Sequence, residues 1–307
     1  MAERMTFDIT PFRELYPFES KFFQTRGMKM HYIDEGQGSP VVCVHGNPSW
    51  SFYYREVVKA FRETNRCIVP DHIGCGLSDK PGDDTYDFRY KSRVDDLEAL
   101  LEELDVKKDI TLVLHDWGGA IGLGYAVRHP ERIKRIVLLN TAAFFKPEGK
   151  TMPWQLWLAR NTPLGSLLVR GFNAFAYGAT KTCVVRKPMP DLVQKAFCAP
   201  YNSWHNRIAT LRFVQDIPLE PEDPSYGPIE ETVAGLSNFK ETPTLVCWGE
   251  KDYVFDHHFL KQWKVYLPNA EYHTFTDVGH YTLEDASEEV LALMKEFFAK
   301  HPIEEAS

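Results

Sequence analysis

An aspartate stands at the end of an apolar stretch, in the place where a nucleophile elbow usually carries its serine. Residues 110–114 are mainly apolar, and they are followed by His115-Asp116-Trp117-Gly118-Gly119 and an amphipathic stretch over residues 120–127. This pattern predicts a strand, a sharp turn and a helix, with Asp116 at the apex of the turn. A carboxylate is already ionised at neutral pH, so it would attack carbon directly and leave an ester on the enzyme. The match is partial because Leu114 replaces the first glycine, and the alternative is an aspartate that only caps the helix.

Two later residues have the types and order expected of partners for such a nucleophile. An ester on Asp116 must be hydrolysed, which requires a base to activate water and a carboxylate to orient that base. His280 follows a glycine just after the last predicted strand, residues 272–275, and Asp252 lies in the loop after predicted strand 244–248. The order nucleophile, acid, histidine is typical of α/β-hydrolases. We therefore predict Asp116, Asp252 and His280 as catalytic residues.

Asn47 and Trp117 are the predicted hydrogen-bond donors to a departing anion. A leaving group of this kind needs donors that are aimed at it. Trp117 offers an indole N–H and Asn47 a side-chain amide, and the backbone N–H groups of both would hold the oxyanion formed during ester hydrolysis. The alternatives are simple packing for Trp117 and a turn role before Pro48 for Asn47.

Short apolar segments alternate with helical patterns in the regions that contain these residues. The helical patterns cover residues 52–61, 92–104 and 120–129, and the strand-like segments cover residues 41–44, 67–69, 110–114, 133–139 and 244–248. Such alternation predicts an α/β fold with a mainly parallel central sheet flanked by helices. Parallel sheets bind their ligands at the carboxyl ends of the strands. Asn47, Asp116 and Asp252 all follow strand ends, so we expect one active site at that edge.

An inserted helical cap is predicted between the two parts of the sheet. The alternation stops after Asn140 and returns at Thr244, and the segment between them is rich in aromatic residues and prolines. We predict a core over residues 1–141, a cap over 142–236 and a second core part over 237–307. A cap of this kind would exclude water from Asp116 and shape an apolar pocket without an evident cationic residue. The predicted pocket aromatics are Trp154, Phe172, Phe175 and Trp204, although most cap aromatics must also form the cap's own core.

The composition excludes several classes of protein. The formal net charge is −8, and no cluster of five or more basic residues occurs, which argues against a nucleic-acid partner. The six cysteines lack metal-type spacing and several lie in apolar segments, so we expect reduced thiols and no metal site. No stretch has the length and apolarity of a signal peptide or of a membrane span. A cytoplasmic location is the expectation.

Four motifs together resemble the haloalkane dehalogenase family of the α/β-hydrolase fold. They are His45-Gly46-Asn47-Pro48, His115-Asp116-Trp117-Gly118-Gly119, Trp248-Gly249-x-x-Asp252 and Gly279-His280. The resemblance implies that Asp116 displaces halide from carbon, that His280 activates the water that hydrolyses the ester, and that Asp252 supports His280. It also implies that Asn47 and Trp117 bind the halide, and that no cofactor is needed.

The resemblance is to the third subfamily, which leaves two functions open. Some family members carry the acid one strand earlier, but here that strand is followed by Asn140, so Asp252 takes the role. The third subfamily overlaps with the β-lactone decarboxylases of bacterial olefin synthesis, which form a long-chain cis-olefin and CO2 with the same residues. Cap segments such as Met152-Pro153-Trp154-Gln155 resemble that group. The implied function is a haloalkane dehalogenase-type hydrolase that gives alcohol and halide, with β-lactone decarboxylation as the alternative.

Other functions of this fold fit the sequence less well. Epoxide hydrolases resemble it in the nucleophile, but they commonly carry an aromatic residue in place of Asn47 and need two cap tyrosines, for which Tyr177, Tyr201 and Tyr226 are candidates. Fluoroacetate dehalogenases carry an arginine pair near the nucleophile, which this segment lacks. A non-catalytic ligand-binding protein would have lost a triad member. The expected ligands are a small apolar substrate and a halide or carboxylate product, and the expected assembly is a homo-oligomer or a biosynthetic complex.

Overall fold

The computed structural model describes residues 7–303, which form one eight-stranded sheet with helices on both faces. The strands are β1 Lys21–Thr25, β2 Met28–Glu35, β3 Pro40–Val44, β4 Arg66–Pro70, β5 Ile110–Asp116, β6 Ile133–Thr141, β7 Thr244–Gly249 and β8 Glu271–Phe275. The strand order is β1-β2-β4-β3-β5-β6-β7-β8, with β2 antiparallel to both of its neighbours and the other pairs parallel. The predicted mainly parallel sheet is confirmed, and each predicted strand is present with small differences at its ends.

Helices cover the sheet on both faces and bury its central strands. Every residue of β5 is buried, as expected for a parallel strand between two helical layers. The helices outside the cap are α1 Arg55–Phe61, α2 Tyr90–Glu103, α3 Trp117–Arg128, α10 His257–Tyr266, α11 Thr282–Asp285 and α12 Ser287–Lys300. One core lies between the sheet and α2, α3 and α10, and the other lies between the sheet and α1 and α12.

Six helices lie between β6 and β7, in the segment predicted as a cap. They are α4 Trp154–Asn161, α5 Pro163–Phe172, α6 Ala174–Thr182, α7 Asp191–Cys198, α8 Ile208–Gln215 and α9 Tyr226–Gly235. Leu211 and Val214 of α8 share a small apolar core with Ala159 of α4 and Val169 of α5. The inserted helical segment is therefore present, whereas its boundaries at residues 142 and 236 stay a prediction.

The antiparallel hairpin β1-β2 at one sheet edge is absent from the sequence-based predictions. Its turn, Arg26-Gly27, has positive φ at both residues, the geometry of a two-residue hairpin turn. In β2 the alternation of apolar and polar residues is interrupted by His31. This residue is fully buried, and its Nδ1 lies 2.8 Å from Asp71 Oδ2. A polar residue on the core face breaks the alternation that would otherwise predict a strand.

The cysteines and the lengths of the helices bear on two further predictions, reduced thiols and the absence of a membrane span. All six cysteines are free thiols, and five of them are buried. Among residues 7–303, none of the helices combines the length and the apolar character needed to cross a membrane.

Candidate active site

The turn between β5 and α3 holds Asp116 in a conformation that few residues adopt. Its backbone has φ 53° and ψ −127°, a strained combination for any residue but glycine. The two following glycines permit the turn, because a Cβ at Gly118 would collide with the carbonyl oxygen of Val44 and one at Gly119 with the side chain of Thr141. The Asp116 side chain makes no capping hydrogen bond to α3. Its Oδ1 instead accepts the backbone N–H of Asn47 at 2.6 Å, so the helix-cap alternative does not describe this residue.

Asp116, His280 and Asp252 lie together at the carboxyl edge of the sheet. His280 Nδ1 lies 2.7 Å from Asp252 Oδ2, and His280 Nε2 lies 3.6 Å from Asp116 Oδ2. All three residues are buried. The second Asp252 oxygen accepts the backbone N–H of Val254 at 2.7 Å, which fixes the carboxylate. The imidazole is thus oriented by one carboxylate and aimed at the other, as base-assisted hydrolysis of an ester on Asp116 requires.

Burial and charge shift the pKa values of the two groups that would react. Burial raises the pKa of Asp116, and this is opposed by His280 and by the backbone N–H groups of Asn47 and Trp117. For His280, burial lowers the pKa, but the charge and hydrogen bond of Asp252, with the charge of Asp116, outweigh it and raise the pKa. A raised histidine pKa favours the protonated imidazole, which pairs with an ionised Asp116 in the free enzyme.

Asn47 and Trp117 lie beside Asp116 and line the same cavity. Asn47 Nδ2 donates to the Thr210 carbonyl oxygen at 3.0 Å, which orients the amide and leaves its second N–H for another acceptor. The Trp117 indole packs at 5.6 Å from the Phe213 ring, and its N–H makes no hydrogen bond with any residue in the range 7–303. An anion between the two side chains would receive both donors.

Loss of either donor should slow the reaction strongly. Removal of one preorganised donor typically costs on the order of 10²–10³ in rate, about 3 kcal/mol. We therefore expect Asn47→Ala and Trp117→Phe each to lower kcat by that factor, measured as bromide or alkene release. Chloride or bromide should quench the fluorescence of the enzyme, and Trp117→Phe should remove most of that quenching. Trp157→Phe, an exposed residue outside the cavity lining, is the matched control. Full activity and intact quenching in Trp117→Phe would contradict the assignment.

Comparison with known proteins decides the family. A family model described as the alpha/beta hydrolase fold matches residues 39–287. The chain belongs to the α/β-hydrolase fold family. This α/β-hydrolase is 58% identical over 286 residues, 93% of the chain and 90% of the relative, to a cis-3-alkyl-4-alkyloxetan-2-one decarboxylase of Shewanella oneidensis. It is also 30% identical over 305 residues, 96% of the chain and 100% of the relative, to haloalkane dehalogenase 2 of Mycobacterium tuberculosis.

A solved haloalkane dehalogenase structure also matches this chain. The tetrameric structure of the haloalkane dehalogenase DpaA from Paraglaciecola agarilytica matches with a TM-score of 0.78 and 25% identity, covering 98% of this chain and 99% of that one. An oxetan-2-one is a β-lactone, so the predicted relationship to both dehalogenases and β-lactone decarboxylases is confirmed. The predicted class, a dehalogenase-type hydrolase with β-lactone decarboxylase as the alternative, is confirmed as well.

The cavity of this α/β-hydrolase begins at Asp116 and extends under the cap. It has a volume of about 280 Å³ and a mostly apolar lining. The lining polar groups close to the Asp116 carboxylate are Asn47, Trp117 and His280. The remaining lining comes from parts of the segments 142–156, 174–183, 214–219 and 253–259, together with Pro48, Ala120 and Ile229.

Only one of the four predicted pocket aromatics lines this cavity. Phe175 is in the lining, but Trp154, Phe172 and Trp204 are not. These three side chains are 69%, 71% and 49% exposed, respectively, because they project from the cap into solvent. Their assignment to the pocket was wrong, and the aromatic part of the lining comes instead from Phe144, Phe145, Phe255 and Phe259 together with Tyr253.

The lining also bears on the alternative functions. Among residues 7–303, neither an arginine nor any of the three candidate cap tyrosines contributes to it. Tyr201 is buried and donates to the Ser49 carbonyl oxygen, whereas Tyr226 stacks on Phe145 and Tyr177 is exposed. The tyrosine pair that an epoxide hydrolase needs is therefore not assembled from these three residues. Two cationic residues, Lys146 and Lys150, do line the cavity, contrary to the expectation from sequence.

Three further residues, whose contacts the sequence analysis does not predict, hold the surroundings of Asp252 and His280. Asn140 Nδ2 donates to Asp252 Oδ2 at 3.0 Å, so the residue at the alternative acid position contacts the predicted acid. His115 Nε2 lies 2.9 Å from the His280 carbonyl oxygen and holds the loop of the base. Lys150 Nζ donates to the Tyr253 carbonyl oxygen at 2.8 Å and ties the cap to the loop after β7. A polar residue at the end of a buried strand was the available signal for Asn140.

Proposed function

We propose that this α/β-hydrolase opens a cis-3,4-dialkyl β-lactone through Asp116 and releases a cis-alkene and CO2. The observation that carries the proposal is the 58% identity to a cis-3-alkyl-4-alkyloxetan-2-one decarboxylase over 93% of the chain. The buried Asp116 and the two donors at the base of an apolar cavity support it, because the substrate is a small polar ring with apolar chains.

In the first step Asp116 attacks the ring carbon that carries the ring oxygen. A carbon–oxygen bond forms to Asp116, and the bond from that carbon to the ring oxygen breaks, which opens the lactone to a carboxylate. Asn47 and Trp117 stabilise this carboxylate as they would a halide, since both are donors beside the nucleophile. The attack inverts the configuration at the carbon.

In the second step the carboxylate leaves as CO2. The electron pair of the carbon–carboxylate bond forms the alkene, and the bond to Asp116 breaks, which returns Asp116 as a carboxylate. If the two groups leave from opposite sides, the earlier inversion makes a cis-lactone give a cis-alkene. No water enters this sequence, so a base to activate water is not required.

Dehalogenation is the second candidate function of the same site. Its support is the 30% identity to a haloalkane dehalogenase over 96% of the chain, together with the Asn47 and Trp117 donor pair. Here halide leaves at the first step and the alkyl ester has no carboxylate to lose. Water activated by His280 must then hydrolyse the ester and give an alcohol.

The proposal extends to the cofactors, the cellular location and the assembly state of this α/β-hydrolase. We expect no cofactor, metal or nucleic-acid partner, since the three residues and the two donors suffice for both reactions. The six free thiols support a reducing, cytoplasmic location. The tetrameric DpaA supports a homo-oligomer, and a complex with other enzymes of the same synthesis is the alternative.

Hydrolysis of the ester should depend on pH through His280. Burial lowers the pKa of His280, whereas the charge and hydrogen bond of Asp252 and, to a smaller extent, the charge of Asp116 raise it; esterification of Asp116 removes only the last of these. Only the neutral imidazole activates water, so the ester should accumulate at low pH and turn over at high pH. Stopped-flow measurement should show a burst of bromide near pH ~6 that disappears near pH ~9. A burst of equal size at both values would contradict this role of His280.

A side-by-side assay tests the proposed function. Purified enzyme receives a long-chain cis-dialkyl β-lactone and, separately, chlorinated, brominated and iodinated alkanes, with alkene and halide measured. We expect fast alkene release from the lactone, slow turnover of brominated and iodinated chains, and little turnover of chlorinated ones. Rapid turnover of short chloroalkanes with no alkene from the lactone would reject the decarboxylase proposal and leave a dehalogenase.

A further inference from the structure

We propose that the cap docks on an anionic phospholipid bilayer around the mouth of the cavity. The surface concerned, which we call the cap patch, consists of large apolar side chains on α4, α5 and α6 that are exposed to solvent. They are Trp154, Trp157, Leu164, Leu167, Phe172 and Tyr177. α4 packs against α5 and α5 against α6, so these six side chains lie on neighbouring helices. Exposed apolar side chains that are grouped in this way mark a site of interaction with a partner or a membrane.

The cap patch borders the opening of the cavity. Several residues that line the cavity are also exposed to solvent, among them Gln155, Ala174 and Thr182, so the cavity opens at the starts of α4 and α6 and at the end of α6. Trp154 lies directly before Gln155 in the chain, and Phe172 lies two residues before Ala174. An apolar chain that enters or leaves the cavity therefore passes the patch.

Charge around the cap patch selects an anionic surface. Residues 142–200 contain eight Lys and Arg against two Asp and Glu, although the whole chain has 35 basic and 43 acidic residues. Lys150, Arg160 and Arg186 pair with acidic residues outside this segment, which leaves five basic residues without a salt bridge to a residue in the range 7–303. Arg170 lies 4.6 Å above the Trp204 ring and Lys181 lies 5.5 Å from the Tyr177 ring, so basic and aromatic groups are interleaved. Neither they nor the exposed Lys187 and Lys195 form a salt bridge with a residue in the range 7–303. Exposed Trp, Phe and Leu next to Lys and Arg are typical of surfaces that bind at a lipid headgroup region.

A bilayer is a better candidate than a protein for the binding partner of the cap patch. A protein seated on the cap patch would cover the cavity mouth, whereas a bilayer dissolves long alkyl chains and presents them there. This last step rests on the proposed function, because only a substrate with long chains would be stored in lipid. The positions of the basic residues around the cap patch do not depend on the proposed function.

Vesicle flotation tests docking without any enzymatic assay. The full chain is mixed with phosphatidylglycerol vesicles or with phosphatidylcholine vesicles at low salt, and the floated fraction is measured. We expect flotation with the anionic vesicles and at least about tenfold less with the neutral ones, since each basic residue near an anionic surface contributes to binding. Absence of flotation with phosphatidylglycerol would overturn the proposal.

Variants locate the docking surface. Trp154→Ser with Trp157→Ser and Phe172→Ser, and separately Lys181→Glu with Lys187→Glu, should each lower the floated fraction by roughly tenfold or more. The matched controls lie outside the cap: Phe22→Ser with Val265→Ser for exposed apolar residues, and Lys261→Glu with Lys264→Glu for exposed basic ones. Equal loss in patch and control variants would overturn the proposal. So would a wild-type oligomer that the patch variants dissociate while flotation persists unchanged, because the patch would then be a contact between copies.

The test also separates this proposal from the proposed function. If the chain floats through the cap patch but yields no alkene from the lactone, docking stands and the decarboxylase proposal fails. If the chain releases alkene but does not float, the function stands and the docking proposal fails.

Discussion

Replacement of Asp116 by alanine is expected to abolish both alkene release and dehalogenation. Loss of a covalent catalytic group typically costs on the order of 10⁴–10⁶ in rate. Cys183 also lines the cavity, but burial raises the pKa of its thiol far above neutrality, so it stays protonated. Steady-state assays with a β-lactone and with a bromoalkane should both fall to background.

The matched control for Asp116→Ala is Asp96→Ala. Asp96 is likewise a buried carboxylate whose pKa is raised by burial, but it lies on α2, accepts from the Tyr86 hydroxyl and does not line the cavity. The control variant should keep its kcat once melting curves show a folded protein. Residual activity above about one thousandth in Asp116→Ala would contradict covalent catalysis by this residue.

Replacement of His280 by phenylalanine should separate the two reactions. Dehalogenation needs water to hydrolyse an ester, so His280→Phe should release one equivalent of bromide and then stop, with turnover reduced by about 10³ or more. Decarboxylation returns Asp116 without water, so alkene release should fall far less, by roughly tenfold, through the loss of packing and charge near the site. Parallel assays of bromide and alkene on one preparation measure the contrast.

Equal losses in both assays would contradict the water-free route from the lactone. Asp252→Asn provides an intermediate case, because it keeps the hydrogen-bond geometry near His280 Nδ1 but removes the charge that raises the pKa of His280. We expect it to slow dehalogenation and to leave alkene release close to that of the wild-type enzyme.

The candidate site was predictable because reactive residue types stood directly after buried strands. Parallel strands carry their carboxyl ends to one edge, so Asp116, Asp252 and Asn47 were expected at that edge, and the strand order β3-β5-β6-β7 brings them close together. The glycines after Asp116 predicted a tight turn, and the contacts of Gly118 and Gly119 explain why that turn admits no side chain there. The order of the three predicted residues along the chain, nucleophile, acid and histidine, indicated the arrangement of an α/β-hydrolase.

Tertiary contacts explain what could not be predicted from sequence. The burial of an aromatic residue on a short cap helix depends on which face packs downward, and α4 and α5 turn Trp154, Trp157 and Leu167 outward. His31, on the second strand of the hairpin at the sheet edge, is buried against Asp71, which lies 40 residues away in the chain. Asn140 contacts Asp252 across 112 residues, so its place at the end of a buried strand marked it as a residue of that sheet edge but did not indicate which partner it contacts.

The position of the trapped ester tests the central claim most directly. His280→Phe is incubated with a bromoalkane and digested, and the peptides are sequenced by mass spectrometry, with Asp116→Ala/His280→Phe as the control. We expect the mass of one alkyl group on Asp116 and no adduct in the double variant, because the ester forms on this carboxylate and cannot be hydrolysed without the base. An unmodified Asp116 with the alkyl group on Cys183 or another residue would contradict the account.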